Sequence, residues 1–369
     1  MKSKTVSKGP NLKSVLPLPG EANASNIQLF LLAVIAAFVV GVILLELRSV
    51  LLPFVIAVLL SIIFSPMVIS LKRRGVPTII ALVAVLLAFA LVLVLFSLLV
   101  YSSTESFARE IPKYERKLTA LITSLFQGFT ELASRMNVQL EDFQWSQAFQ
   151  LSSITGALTA GVGSFLNFLS NLFLVLLFML FILAGSGQLA DKIKKAIPAN
   201  QASRLALLIR NTESQVRQYL LTKTLISAGT GLLTFIVLWA FGVDFPLVWA
   251  LLAFVLNFIP NIGSLISVVF PVALSFLQFD SAGQSIAVLL LLTTMQGIMG
   301  NIIEPRLMAF QLNLSPLFVL ASLIFWGWLW GVLGMILAVP LMATVKIVFE
   351  NIKPLQPLSV LMGGSVHKS

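Results

Sequence analysis

Apolar runs of about 18 residues or more recur along this chain, and each is long enough to cross a hydrocarbon layer roughly 30 Å thick. They fall at 27–45, 50–71, 77–101, 158–184, 223–242, 246–277, 284–303 and 316–345. One soluble core could not absorb them, and 369 residues that are 58% hydrophobic and 10% charged read as an integral membrane protein. Backbone groups in a bilayer must be satisfied within the chain, and the two-residue alternation of a barrel is absent, so the spans are helices. The expected fold is all-α and polytopic, with about eight transmembrane helices, broken or re-entrant segments in the C-terminal half, and an extramembrane amphipathic helical insertion.

Chemistry is bounded by what the composition lacks. There is no cysteine, and the single histidine, His367, stands three residues from the end of the sequence. Disulfides, thiol chemistry, haem ligation by histidine and the usual zinc sites are excluded, so no metal and no cofactor is expected. No glycine-rich loop ends in Lys-Ser or Lys-Thr to bind a nucleotide. Paired carboxylates for acid–base work and a Ser/His/Asp set are missing too, and a catalytic role is not expected.

The net charge of +10 encodes topology rather than nucleic-acid binding. With a cytoplasmic start, the inside segments hold 17 of the 24 lysines and arginines, including Lys72, Arg73 and Arg74 and the run from Lys192 to Lys223. Both termini are therefore expected in the cytoplasm. This count places Lys223 inside and the segment after 303 outside.

The expected organisation follows the charges. Residues 1–26 form a basic disordered cytoplasmic tail, 27–101 the first three spans, 102–157 an extracytoplasmic amphipathic region and 158–184 the fourth span. Residues 185–222 form basic cytoplasmic amphipathic helices, 223–350 the C-terminal spans, and 351–369 a cytoplasmic tail. Between 105 and 136, Phe107, Ile111, Tyr114, Leu118, Leu121, Leu125, Phe129, Leu132 and Met136 recur at three- and four-residue steps. That stripe serves either the membrane surface and the chain's own spans or contacts with neighbouring subunits. The basic 191–222 region suits a cytoplasmic interface held by anionic lipid.

Polar and helix-breaking residues inside apolar segments are the remaining candidates for function. In NFIPNIGS, Asn257 to Ser264, Pro260 and Gly263 break the helix, and Asn257 and Asn261 stand at the break. Non-helical backbone at membrane depth is tolerated only where protein buries it or water reaches it, and transporters place solute sites there. A kink whose amides bond neighbouring helices is the structural alternative. In the next segment Gln296, Gly300 and Asn301 lead into Glu304-Pro305-Arg306. Either 284–303 crosses and these charges cap it at the outer interface, or the segment re-enters and holds them at depth. At the bilayer centre each would cost about 2.5–3.5 kcal/mol and need pairing or hydration. Residues two apart do not face each other on a helix, whereas Pro305 favours an extended Glu304 that lets both side chains enter one cavity. Finally, in FWGWLWGVLG, Gly327, Gly331 and Gly334 make a face for tight helix packing, with an aromatic-lined passage or tryptophan belt as the alternative.

In this order and spacing, NFIPNIGS, GNIIEPRLM, LNLSPL and FWGWLWGVLGMILAVPL resemble the signature regions of the autoinducer-2 exporter (AI-2E) family. The likeness runs from the first span to about residue 350 and is strongest over 240–345. It carries over Pro260, Asn261, Gly263, Asn301, Glu304, Pro305 and Arg306 unaltered, and departs from the usual glycine at Ala309. It implies a multi-span bacterial inner-membrane protein assembled as a homo-oligomer, a pentamer in particular. It further implies export of the quorum-sensing signal autoinducer-2 or, in other members, sodium or lithium/proton antiport.

The resulting expectation is an inner-membrane exporter of a small polar solute, with the lipid bilayer, a small-molecule or ion substrate and further copies of itself as partners. Glu304 is the expected protonation or ion-coupling group, Arg306 orients it or attracts solute, and Asn257, Asn261, Gln296 and Asn301 line the path. A cation/proton antiporter and a non-transporting oligomeric scaffold are the alternatives.

Overall fold

The computed structural model describes residues 21–135, 172–196, 198–308 and 314–364. The expectations for the tail before residue 21, for 136–171, for Ala309 and for His367 lie outside these residues. The chain divides into two units, residues 1–51 and 52–369. In the first, α1 (Glu21–Glu46) is an apolar helix that breaks at Leu47 before α2 (Arg48–Arg73) begins.

In the second unit α2 packs with α3 (Thr78–Arg135) and α4 (Leu172–Ala196). Their shared core contains Ala57, Val68, Leu82, Val85, Val175 and Met179. Helix α3 runs 58 residues without a break, so the third span and the amphipathic segment after it are one helix about 87 Å long. Only Thr78–Leu99 is apolar enough to cross a bilayer. The same continuity joins the basic segment to the fifth span in α5 (Ala199–Ala240), 42 residues long. By length and composition, six helical stretches among the described residues could cross: Ile27–Glu46, Arg48–Arg73, Thr78–Leu99, Gln201–Ala240, Ala282–Met308 and Pro316–Glu350, the last of them interrupted at Gly331.

Two of the eight expected crossings turn back on themselves. The segment 246–277 breaks as expected into α6 (Pro246–Leu256) and α7 (Ile262–Gln278). At 11 and 17 residues these are about 16 and 26 Å long, each short of a hydrocarbon layer. They lie antiparallel. Trp249 of α6 stacks on Phe270 of α7 with ring centroids 6.4 Å apart, and the Asp244 N–H donates to Gln278 Oε1 at 2.8 Å. The chain thus enters and leaves at one end, with Asn257–Asn261 as the tip.

The last apolar segment, expected as one span over 316–345, does the same inside α10 (Pro316–Asn351). Ser322 Oγ donates to the Ala338 carbonyl at 2.9 Å, although residues 16 apart in a straight helix would stand about 24 Å apart. The reversal is at Gly331, whose φ of 67° favours a residue without Cβ. Gly327 and Gly334 then lie where the two arms, 316–330 and 332–351, meet, so the glycines build a turn and its close contact rather than one face of a single helix. Ser315 N–H bonds the Met362 carbonyl at 2.8 Å, which puts the start of this hairpin beside α11 (Gln356–Met362) at the chain's C-terminal end. The hairpins pack through Leu256, Ile259, Leu323 and Ala338.

The base of the first hairpin is tied to the part of α3 beyond its apolar stretch. The Tyr114 hydroxyl donates to Asp244 Oδ2, Gln278 Nε2 donates to the Gly242 carbonyl at 2.7 Å, and Trp249 Nε1 donates to the Asp244 carbonyl at 3.2 Å. Burial, then the Asp244 bond, holds the Tyr114 phenol above its ordinary range. A raised phenol pKa means that the bond stabilises the fold fully below pH ~10 and is lost only as pH rises further. Tyr114→Phe is accordingly expected to lower stability by about 1.5–3 kcal/mol. Thermal melts in detergent should show the same loss at pH 6 and pH 9.

Candidate functional site

A cavity of about 590 Å³ opens between the tip of the first hairpin, α5 and α8 (Ala282–Ile298) with the turn that follows it. Its lining includes Lys223, Asn257, Pro260, Asn261, Ser264, Thr293, Gln296, Asn301 and Glu304. Six of the nine residues expected on the path therefore come together: Asn257, Pro260, Asn261, Gln296, Asn301 and Glu304. Gly263 lies beneath the lining, where it lets α7 start against the end of α6. Pro305 and Arg306 are exposed and do not line the cavity.

The local backbone explains how the tip presents its amides. Ile262 N–H bonds the Pro260 carbonyl at 2.7 Å across Asn261, whose φ of 62° and ψ of −47° make a γ-turn of the rare, strained kind. Such strain costs about 1–3 kcal/mol and persists only where the surroundings enforce it. Asn261→Gly is expected to raise the melting temperature, or hold it, by relieving this strain. Asn261→Ala should lower it, since both lose the amide but only glycine tolerates the angle.

Hydrogen bonds brace the lining. Asn257 Nδ2 donates to Ser227 Oγ at 3.0 Å and ties the tip to α5. Gln296 Nε2 donates to Ser267 Oγ at 2.8 Å, Ser267 Oγ donates to the Ser264 carbonyl, and Ser264 Oγ donates to the Asn261 carbonyl. The amide oxygens of Asn257 and Gln296 and the whole side-chain amides of Asn261 and Asn301 have no protein partner among the described residues. The cavity thus offers both donors and acceptors.

The charge belongs to a pair that the sequence did not suggest. Lys223 Nζ donates to Glu304 Oε1 at 2.5 Å. The lysine side chain is 2% exposed and the glutamate 25%. The residue count had placed these two on opposite sides of the membrane. Because 246–277 folds back, the next span runs the other way and brings Glu304 to the Lys223 end. That segment does not turn back: α8 continues through a π-helical turn (Met299–Ile303) into α9 (Glu304–Met308). Glu304 is helical, at φ −59° and ψ −50°, rather than extended before Pro305. A proline ring crowds the carbonyl of the preceding turn, and the wider π turn directly before it relaxes that crowding. The cation facing Glu304 is therefore Lys223 and not Arg306.

Comparison with known proteins decides the family. The AI-2E family transporter profile matches residues 29–353. The chain belongs to the AI-2E transporter family. It is 34% identical over 314 residues to the AI-2 transport protein TqsA of Escherichia coli K12, covering 85% of this chain and 89% of that one. It is also 34% identical over 258 residues to a putative transport protein of Borreliella burgdorferi, covering 70% and 69%. The putative transport protein YhhT of Escherichia coli K12 is 31% identical over 314 residues, covering 85% and 88%.

In this AI-2E transporter the role is membrane transport, and the relatives' descriptions as transport proteins fit a chain without a catalytic set. Among the described residues no group of His, Cys, Asp or Glu could hold a metal. Sequence reasoning missed Lys223, Ser227, Ser264, Ser267 and Thr293. Lys223 looked like the last basic residue before a span, a position that topology alone explains. The serines carry no signal until the hairpin brings α5, α7 and α8 together.

Proposed function

We propose that this chain exports a small, uncharged, polyhydroxylated solute, autoinducer-2 in particular, across the bacterial inner membrane, with both termini in the cytoplasm. The observation that carries the reading is the cavity at the tip of the re-entrant hairpin. Its amides can donate and accept, and its one lysine and one carboxylate neutralise each other. A solute with hydroxyl and carbonyl groups matches that inventory without stranding a buried charge. The name of TqsA supports the choice of autoinducer-2. The basic residues Lys72, Arg73 and Arg74 support the cytoplasmic placement of the termini. Family resemblance supports a homo-oligomer, with the long α3 as one contact between copies.

Cation/proton antiport gains no support. Among the described residues Glu304 is the only carboxylate lining the cavity, and Lys223 already occupies it. A non-transporting scaffold leaves the assembled polar lining without a purpose. Proteoliposomes loaded with autoinducer-2 test the reading. Flux should require the protein and fall at least tenfold in Asn301→Leu, which leaves the ion pair in place. Cation-dependent proton movement without autoinducer-2 flux would overturn it.

A further inference from the structure

The π-helical turn Met299–Ile303 lines the cavity through Gly300 and Asn301, with Gln296 and Gly297 of the lining before it and Glu304 after it. A π turn carries one residue more than an α turn, and one residue is worth about 100° of rotation. We infer that this turn is a register switch, which withdraws Glu304 from the cavity when it resolves to α-helix. The inference rests on the transport reading for its purpose but not for its geometry.

If the turn becomes α while the helix before it stays fixed, every later side chain advances by about one residue. The angular position facing Lys223, now held by Glu304, passes to Ile303. Glu304 swings toward the direction Pro305 takes now. Three features make the change feasible. Gly297 and Gly300 meet no other element within 4 Å of where a Cβ would stand, so that face of the turn is free to rotate, while Met299, buried beside Gly229 of α5, must slide along α5. Met299 and Ile303 at its ends are apolar and lose no hydrogen bond on rotating. The helix that must turn with it, α9, is only five residues long.

The ion pair adds to the preference that Pro305 gives the π form, and it is the part of that preference that another partner can remove. In the α register Lys223 would face isoleucine while remaining almost wholly buried, which disfavours that register by a factor of about 10² to 10³. The Lys223–Glu304 pair therefore acts as the catch that holds the turn in its π form. A step that gives Lys223 another acceptor, such as an oxygen of the solute, releases it. Because Glu304 and the Asn301 amide move together, release reshapes the cavity on the side next to α5.

The chain has no cysteine, so nitroxide labels on Leu307→Cys and Ser214→Cys, both at exposed positions, report one distance between α9 and α5. The otherwise native chain should show one dominant distance. Lys223→Met, which removes the ammonium that demands Glu304, should populate a second distance at least tenfold more. Deleting Ile302, 44% exposed and outside the lining, resolves the turn to α while keeping Glu304 opposite residue 223. In the Lys223→Met background that deletion should restore the single distance. With Lys223 intact, it should cut autoinducer-2 flux in proteoliposomes at least tenfold. The same single distance in native and Lys223→Met chains, or native flux in the deletion variant, would overturn the switch. If the native chain moves no autoinducer-2, the choice of solute fails and the distances alone decide the switch. If the deletion variant does not fold, the comparison of native with Lys223→Met decides it.

Discussion

Glu304→Ala is expected to destabilise the protein by about 3–5 kcal/mol, because it strands an ammonium that is 2% exposed. Lys223→Met should cost less, about 1–2 kcal/mol, since the carboxylate left behind is 25% exposed and can be hydrated from the cavity. The order of the two losses follows from which partner is deeper. The double variant Lys223→Met with Glu304→Leu should recover most of the stability, as buried pairs replaced by apolar residues of similar size commonly do. Its transport should nevertheless be lost. Thermal or denaturant melts of the native chain, Lys223→Met, Glu304→Leu and the double variant in one detergent give the coupling as a double-mutant cycle. Equal losses for the two single variants would show that the pair is not buried as described.

Gly263→Ala should be more disruptive than any other single methyl addition in the first hairpin. The new Cβ would stand 1.8 Å from the Leu256 carbonyl oxygen and 2.4 Å from its carbon. Both are backbone atoms at the end of α6, so no side-chain rotation relieves the overlap, and α7 must separate from α6. The expected loss exceeds about 3 kcal/mol, beyond the usual range for overpacking, and removes the cavity with it. Gly334→Ala meets the Trp326 carbonyl oxygen at 2.0 Å and should do the same to the second hairpin. Gly185→Ala, with open space around it inside α4, is the control and should stabilise by up to about 1 kcal/mol. Yield of monodisperse protein and melting temperature read all three.

Much of the candidate site was legible before the fold. Apolar segments interrupted by Asn257, Pro260, Asn261, Gln296, Asn301 and Glu304 announce polar groups that hydrocarbon would not tolerate unpartnered, and one cavity gathers all six. Arg306 carried the same signal but stands exposed in α9, outside the cavity lining. Lys223 carried none, because a lysine at the start of a span is what topology requires in any case. Its partner lies 81 residues away, and nothing local to either residue specifies the pairing.

Sequence alone determined that this is a helical membrane protein, that the 246–277 segment breaks at Pro260, and to which family it belongs. Each follows from short-range physics: the length of apolar runs, the missing N–H of Pro260 and the recurrence of short motifs. Only the tertiary structure decided that two apolar segments reverse instead of crossing. A run of about 30 apolar residues satisfies its backbone equally well as one kinked crossing or as a hairpin. The difference lies in contacts between its arms, Trp249 on Phe270 and Ser322 on Ala338. The first of those reversals sets the direction of the span that follows it, and that direction brings Glu304 to Lys223.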